Sequence, residues 1–121
     1  MKQNLIQEKS FQFAIHVVKV YQKIVKDKKE YVISKQMLRA GTSVGANVEE
    51  AIGGQSEKDF MAKLTIAYKE ARETQYWARL LLGTGYLEEE EGRNLLDESE
   101  SMKKIISSIL LTMKNRLNQN P

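Results

Sequence analysis

The residues of this chain best placed for chemistry are carboxylates. Glu70 and Glu73 lie in a stretch of helical periodicity, among Ile66, Trp77 and Leu80. Carboxylates inside a helical bundle can hold two metal ions, but such sites use two Glu-x-x-His motifs and two further glutamates. Here the 121 residues include one histidine, His16, and no glutamate precedes it at that spacing. There are no cysteines, which excludes disulfides, thiolate metal sites and thiol nucleophiles. Glycoside hydrolysis by paired carboxylates needs a raised-pKa acid beside a cleft, and a tight bundle offers little cleft. Ser43 and Ser56 have no base within plausible reach. The run Gly-Thr-Ser-Val-Gly at 41–45 lacks the Gly-Lys-Ser/Thr ending of a phosphate-binding loop. The expectation is a protein that is not an enzyme, with no catalytic residue, no metal and no cofactor.

Lysine offers another chemistry. Residues 1–39 hold nine basic and three acidic side chains, and the remainder ten and thirteen, so a net charge of +3 is divided into +6 and −3. At 100° per residue Lys9, His16, Lys19, Lys23 and Lys26 share one narrow helix face, with Lys28 and Lys29 at its end. Lysine is a point charge suited to phosphates, with little power to discriminate bases. Tyr21, Tyr31 and Trp77 could stack on bases, although aromatics at helical spacing also serve a core. The expected nucleic-acid surface is therefore Lys9, Lys19, Lys23, Lys26, Lys28 and Lys29, with RNA or DNA as ligand. The alternatives are a merely solvated lysine face and a scaffold whose partner is another protein.

The elements that must position these groups are four helices and no strands. With 41% hydrophobic and 29% charged residues in 13.9 kDa, the chain suits one domain over 1–121. No apolar run approaches the roughly 20 residues a membrane span needs. The N-terminus MKQNLIQEKS has no apolar signal core, so the cytoplasm is the expected compartment. Helix 1 is expected from about Asn4 to Lys28 and helix 2 from Val32 to Ile52. Ser56, with Asp59 three residues on, opens helix 3, which runs to about Leu82. Gly83-Thr84-Gly85 ends it. Helix 4 follows from near Leu87 to Leu117, with Glu88 to Glu91 at the positive end of its dipole. Short loops between long helices make an antiparallel up-down-up-down four-helix bundle.

Apolar stripes support this architecture. Phe60, Leu64, Ala67, Ala71, Thr74, Ala78 and Leu81 alternate steps of four and three, the repeat of helices crossing at about 20°. Gly41 and Gly45 lie one turn apart on helix 2, where each glycine costs roughly 1 kcal/mol against alanine. Together the glycine and alanine stripes predict close packing, with helices 2 and 3 the closest pair. In helix 1 the apolar residues from Phe11 to Val25 cover an arc of about 220°. A surface helix needs little more than 100°, so a partner subunit is the natural cover for the rest. Beside these arcs lie Gln36, Arg39, Ser43, Asn47 and Glu50 on helix 2, and Lys63, Glu70 and Glu73 on helix 3. Folding the two helices back at Gln55 brings Arg39 to Glu70 or Glu73, and Glu50 to Lys63. Charges set among apolar arcs need such partners, because unpaired burial is expensive.

The stretch from Ser34 reads SKQMLRAGTSVGANVEEA, followed by GGQSEKDF from Gly53 and KLTIAYKEARETQYW from Lys63. These segments closely resemble the four helix bundle protein family, also called the 23S rRNA-intervening-sequence or S23 ribosomal-protein-like family. The resemblance covers nearly the whole chain, with helices 1 and 4 matching mainly in pattern. It implies a four-helix bundle assembling as a ring-shaped homopentamer. Some members are encoded within intervening sequences of large-subunit ribosomal RNA genes. A related bundle is the accessory variability protein of diversity-generating retroelements, which works with a reverse transcriptase and binds nucleic acid through a basic surface. The family's motif positions include Arg39, Ser43, Asn47, Glu50, Glu70, Glu73 and Trp77, and no catalytic residues carry over. The expected function is thus a non-enzymatic oligomer that binds nucleic acid, RNA before DNA.

Overall fold

The computed structural model describes residues 2–119, with side chains for 5–118. Four helices make up the fold: α1 (Lys2–Lys28), α2 (Ile33–Ile52), α3 (Glu57–Gly83) and α4 (Glu89–Gln119). There is no strand among the described residues. Contacts join α1 to α2, α2 to α3, α3 to α4 and α4 back to α1, while the diagonal pairs share none among the described residues. The result is a square bundle of consecutive antiparallel helices, as the short connections require.

The helix ends have identifiable causes. Lys29, with φ 57°, closes α1 in the left-handed region where glycine is the usual occupant. Glu30 then caps α2: its carboxylate accepts backbone N–H bonds from Val32 (2.9 Å), Ile33 (2.9 Å) and Ser34 (2.7 Å). At the start of α3 the Ser56 hydroxyl accepts from the Asp59 N–H at 3.0 Å, the cap expected from the sequence. Beyond α3 the chain reverses through Gly85 at φ 85°, which lets Tyr86 donate to the Leu81 carbonyl at 2.9 Å.

All of the repeat on α3 points inward: Phe60, Leu64, Ala67, Ala71, Thr74, Ala78 and Leu81 are buried. Buried hydroxyls bond to nearby backbone carbonyls, as when Thr74 donates to the Glu70 carbonyl at 2.7 Å and Ser34 to that of Glu30 at 2.7 Å. The α2–α3 contact is the most extensive, as expected, and the alanines of the α3 repeat are buried. The glycines, however, serve another contact. A Cβ on Gly41 would lie 2.7 Å from Val17 Cγ1, and one on Gly45 would lie 3.3 Å from the Ser10 carbonyl oxygen. Their face therefore receives α1, whose β-branched Val17 needs the space a missing Cβ leaves.

The broad apolar arc of α1 is only partly covered by the bundle. Ile6, Phe13, Val17, Val20 and Ile24 are buried. Ala14, Ile15, Val18, Tyr21 and Val25 are half-buried, and Phe11 is 60% exposed.

Candidate nucleic-acid interface

The structure divides the expected lysine surface in two. Along one edge of α1, acidic residues of α4 and its approach face the basic stripe. Lys23 Nζ lies 3.9 Å from Glu91 and 4.0 Å from Glu88. One heptad earlier on α1 and one later on α4, His16 Nδ1 meets Glu98 Oε1 in a hydrogen-bond contact. Lys9 shares the α1–α4 groove of about 360 Å³ with Asp97 and Glu98. Lys23 is thereby partly neutralised, because opposite charges within about 4 Å attract even at the surface, whereas Lys9 is in no ion pair among the described residues. Lys19, Lys26, Lys28 and Lys29 are exposed, and none has an acidic partner within ion-pair distance among the described residues. They mark the C-terminal half of α1 and the turn after it.

The expected polar network forms only at its centre. Arg39 Nη1 donates to Glu70 Oε2 at 3.0 Å and its other terminal nitrogen bonds Glu73 Oε2. The same Glu73 oxygen accepts the Trp77 indole N–H at 3.0 Å. Burial works against the Arg39 charge, but the two carboxylates outweigh it and hold the guanidinium pKa above its ordinary value. Ser43 and Asn47 do not cross to α3 in these bonds. The Ser43 hydroxyl donates to the Arg39 carbonyl at 2.7 Å, and the Asn47 amide donates to the Ser43 carbonyl at 2.8 Å. Glu50 and Lys63 form no ion pair among the described residues. Glu50 is exposed and Lys63 half-buried beside the turn, so water serves them and no partner is needed.

Two groups that sequence reasoning missed also fix the helices, one at a helix end and one between helices. Glu30 loses some stability of its charge to burial, yet the N–H bonds from Ile33, Ser34 and Val32 prevail and hold its pKa below the usual value. On the α3–α4 side, Gln75 donates to Glu100 at 3.0 Å and accepts from Lys103 at 3.0 Å. Those bonds, with the Lys103 charge, keep the Glu100 carboxyl below its usual range.

The outer face of α3 was missed as well. Lys69, Arg72, Tyr76 and Arg79 are all exposed there. Part of the signal was available in the complement of the buried repeat, where these three cations and one tyrosine stand exposed beside Ala62, Thr65 and Ile66.

None of the curated proteins matches the chain. Among solved structures, a protein of unknown function from the S23 ribosomal protein family of Bacteroides thetaiotaomicron VPI-5482 is similar. It is 45% identical, with a TM-score of 0.89 over 91% of this chain and 98% of that one. The sequence model of the 23S rRNA-intervening sequence proteins matches residues 2–108. Helices and connections through most of α4 fall within that match, and the chain belongs to the 23S rRNA-intervening sequence protein family.

Proposed function

We propose that the protein is a cytoplasmic, non-enzymatic homo-oligomer that binds nucleic acid, RNA in preference to DNA, through the C-terminal half of α1. The observation that carries this reading is the set of exposed lysines Lys19, Lys26, Lys28 and Lys29, which have no acidic partner among the described residues. Lys23 contributes less, because Glu88 and Glu91 already stand beside it, and Lys9 lies apart from the set, toward the N-terminal end of α1. The family description, which links these proteins to intervening sequences of 23S rRNA, favours RNA.

Assembly rests on two apolar grooves on opposite sides of the square. Between α1 and α2, Phe11, Ala14, Gly45 and Ala46 line a groove rimmed by Glu49. Between α3 and α4, Met61, Tyr68, Leu110 and Leu111 line another of about 380 Å³, rimmed by Lys114. Phe11 and Leu111 are each 60% exposed. An acidic rim on one side and a basic rim on the other suit head-to-tail contact with a second copy, the heterologous interface from which rings close. The number five comes from the family resemblance.

Fluorescence anisotropy with labelled RNA and DNA across a salt series tests the binding. The expected result is affinity that falls steeply with salt and depends little on base sequence. Absence of binding to either nucleic acid at low salt would leave a protein-interaction scaffold as the better reading. Light scattering tests the assembly: a mass of 13.9 kDa at micromolar concentration would overturn it.

A further inference from the structure

We propose that the outer face of α3 is a second nucleic-acid surface, specific for single strands, on which Lys69, Arg72 and Arg79 hold phosphates and Tyr76 stacks on a base. This goes beyond the α1 reading, because α1 and α3 are diagonal in the bundle and share no contact among the described residues. Their outer faces look away from each other, so one chain would offer two separate surfaces.

Position comes first. Residues 69, 72, 76 and 79 follow a helical spacing of three, four and three, so their side chains form one stripe about 15 Å long. Amphipathicity requires a polar outer face on α3, but not one of a single sign. The exposed face of α4 mixes Glu90, Arg93, Asp97 and Lys104. On α3 the carboxylates that could balance the stripe are engaged elsewhere. Glu70 and Glu73 bond Arg39 of α2, and Glu57 bonds Arg116 of α4. No ion pair engages Lys69, Arg72 or Arg79 among the described residues.

Tyr76 separates a nucleic acid from other polyanions. It is 55% exposed between Arg72 and Arg79. Its ring meets Trp77 edge-on, with centroids 5.0 Å apart and planes at 72°, and the Trp77 indole is itself bonded to Glu73 at 3.0 Å. The tyrosine is therefore braced before any ligand arrives, which lowers the entropy lost on stacking. Arginines on either side offer forked donors to phosphate. A cationic track with an aromatic platform is the general arrangement for single strands, whose unpaired bases present their faces. A duplex keeps its bases stacked and would use the cations alone.

The test measures anisotropy of a labelled single-stranded oligouridylate and of an RNA duplex, over a salt series. Tyr76→Ala should weaken single-strand binding about tenfold or more with the salt slope unchanged. Tyr76→Phe should retain it, and duplex binding should be unaffected. Arg72→Gln with Arg79→Gln should reduce the slope of log affinity against log salt by about 1.4 on the single strand. A third variant, Lys19→Gln with Lys26→Gln and Lys28→Gln, separates the two surfaces. If it abolishes binding while both α3 variants bind as wild type does, the α3 proposal is overturned and the α1 reading stands. If the α3 variants weaken binding and the α1 variant does not, the α3 proposal holds and the α1 reading falls. Polyglutamate competing as well as oligouridylate, with Tyr76→Ala unaltered, would overturn it in favour of an acidic peptide. Unchanged helical circular dichroism in every variant keeps the comparison free of folding effects.

Discussion

Gly41 lies so close to Val17 that a Cβ added to it would stand 2.7 Å from Val17 Cγ1 and 2.8 Å from Cγ2. Both residues are buried, and Val17 is branched at Cβ, so it has no soft end to swing aside. This is where α1 seats on α2. Gly41→Ala should gain about 1 kcal/mol of helix propensity and lose about 1–3 kcal/mol through overpacking. The expected net effect is a loss of up to about 2 kcal/mol in urea unfolding. Gly45→Ala, facing the Ser10 carbonyl oxygen at 3.3 Å, should be closer to neutral. A stabilised Gly41→Ala would mean that α1 can shift away without loss.

Glu30 predicts a pH dependence. Burial disfavours its charge, but the backbone N–H bonds from Ile33, Ser34 and Val32 favour it more, so the folded pKa lies below the ordinary value of 4.5. A carboxyl depressed in this way contributes stability that is complete above its unfolded pKa and disappears as pH falls through its folded one. Glu30→Gln should cost about 1 kcal/mol at neutral pH, the scale of a lost helix cap. The gap between variant and wild type should close as pH drops below about 4. A gap that persists unchanged at pH 2 would show that the cap acts without its charge.

Arg39 bridges two carboxylates of α3 while remaining half exposed, and Glu70 is the more enclosed partner, with 16% of its side chain exposed. A fully buried pair broken on one side costs about 3–5 kcal/mol, and an exposed pair at most about 1. Arg39→Ala should fall between, near 2 kcal/mol. Arg39→Lys should recover only part of it, since an ammonium lacks the fork that spans both carboxylates. A double-mutant cycle with Glu70→Gln measures the coupling; a value near zero would make the pair merely adjacent.

What was legible in the sequence divides along physical lines. The α3 repeat and the Arg39–Glu70 and Arg39–Glu73 pairs were readable because one short turn fixes the α2–α3 register. Glu50 and Lys63 share that register, but both reach water near the turn, so spacing alone could not make them a pair. Glu30 was missed because caps are sought among Ser, Thr, Asp and Asn, whereas a longer carboxylate here reaches over from the preceding turn. The acidic neighbours of His16 and Lys23 were missed because the register of α1 with α4 is set by the whole bundle. Its signal was present all the same: His16 and Lys23 are one heptad apart, as are Glu91 and Glu98. The stripe of α3 is masked in the sequence because it lies in a region of net negative charge, with ten basic against thirteen acidic side chains after residue 39, and only the pairing of Glu70 and Glu73 with Arg39 sets its cations apart.

The split of the α1 stripe gives the final prediction. Lys19 is exposed without an acidic partner among the described residues, while Lys23 lies about 4 Å from both Glu88 and Glu91. Each phosphate neutralised by a free lysine releases counterions, and the slope of log affinity against log salt changes by about 0.7–0.9. Lys19→Gln should lower the slope by that amount. Lys23 must leave its carboxylates to reach a phosphate, and those carboxylates then gather cations from solution, so its net release is smaller. Lys23→Gln should therefore change the slope by less than half as much. Its stability effect should also be small, because exposed pairs contribute at most about 1 kcal/mol. Glu88→Gln with Glu91→Gln supplies the converse. Removing both carboxylates frees Lys23, so wild-type Lys23 in that background should strengthen RNA binding and steepen the slope. Measuring all three variants by anisotropy on one RNA across a salt series decides the matter. Equal slopes for Lys19→Gln and Lys23→Gln would show that the α4 carboxylates do not restrain the stripe.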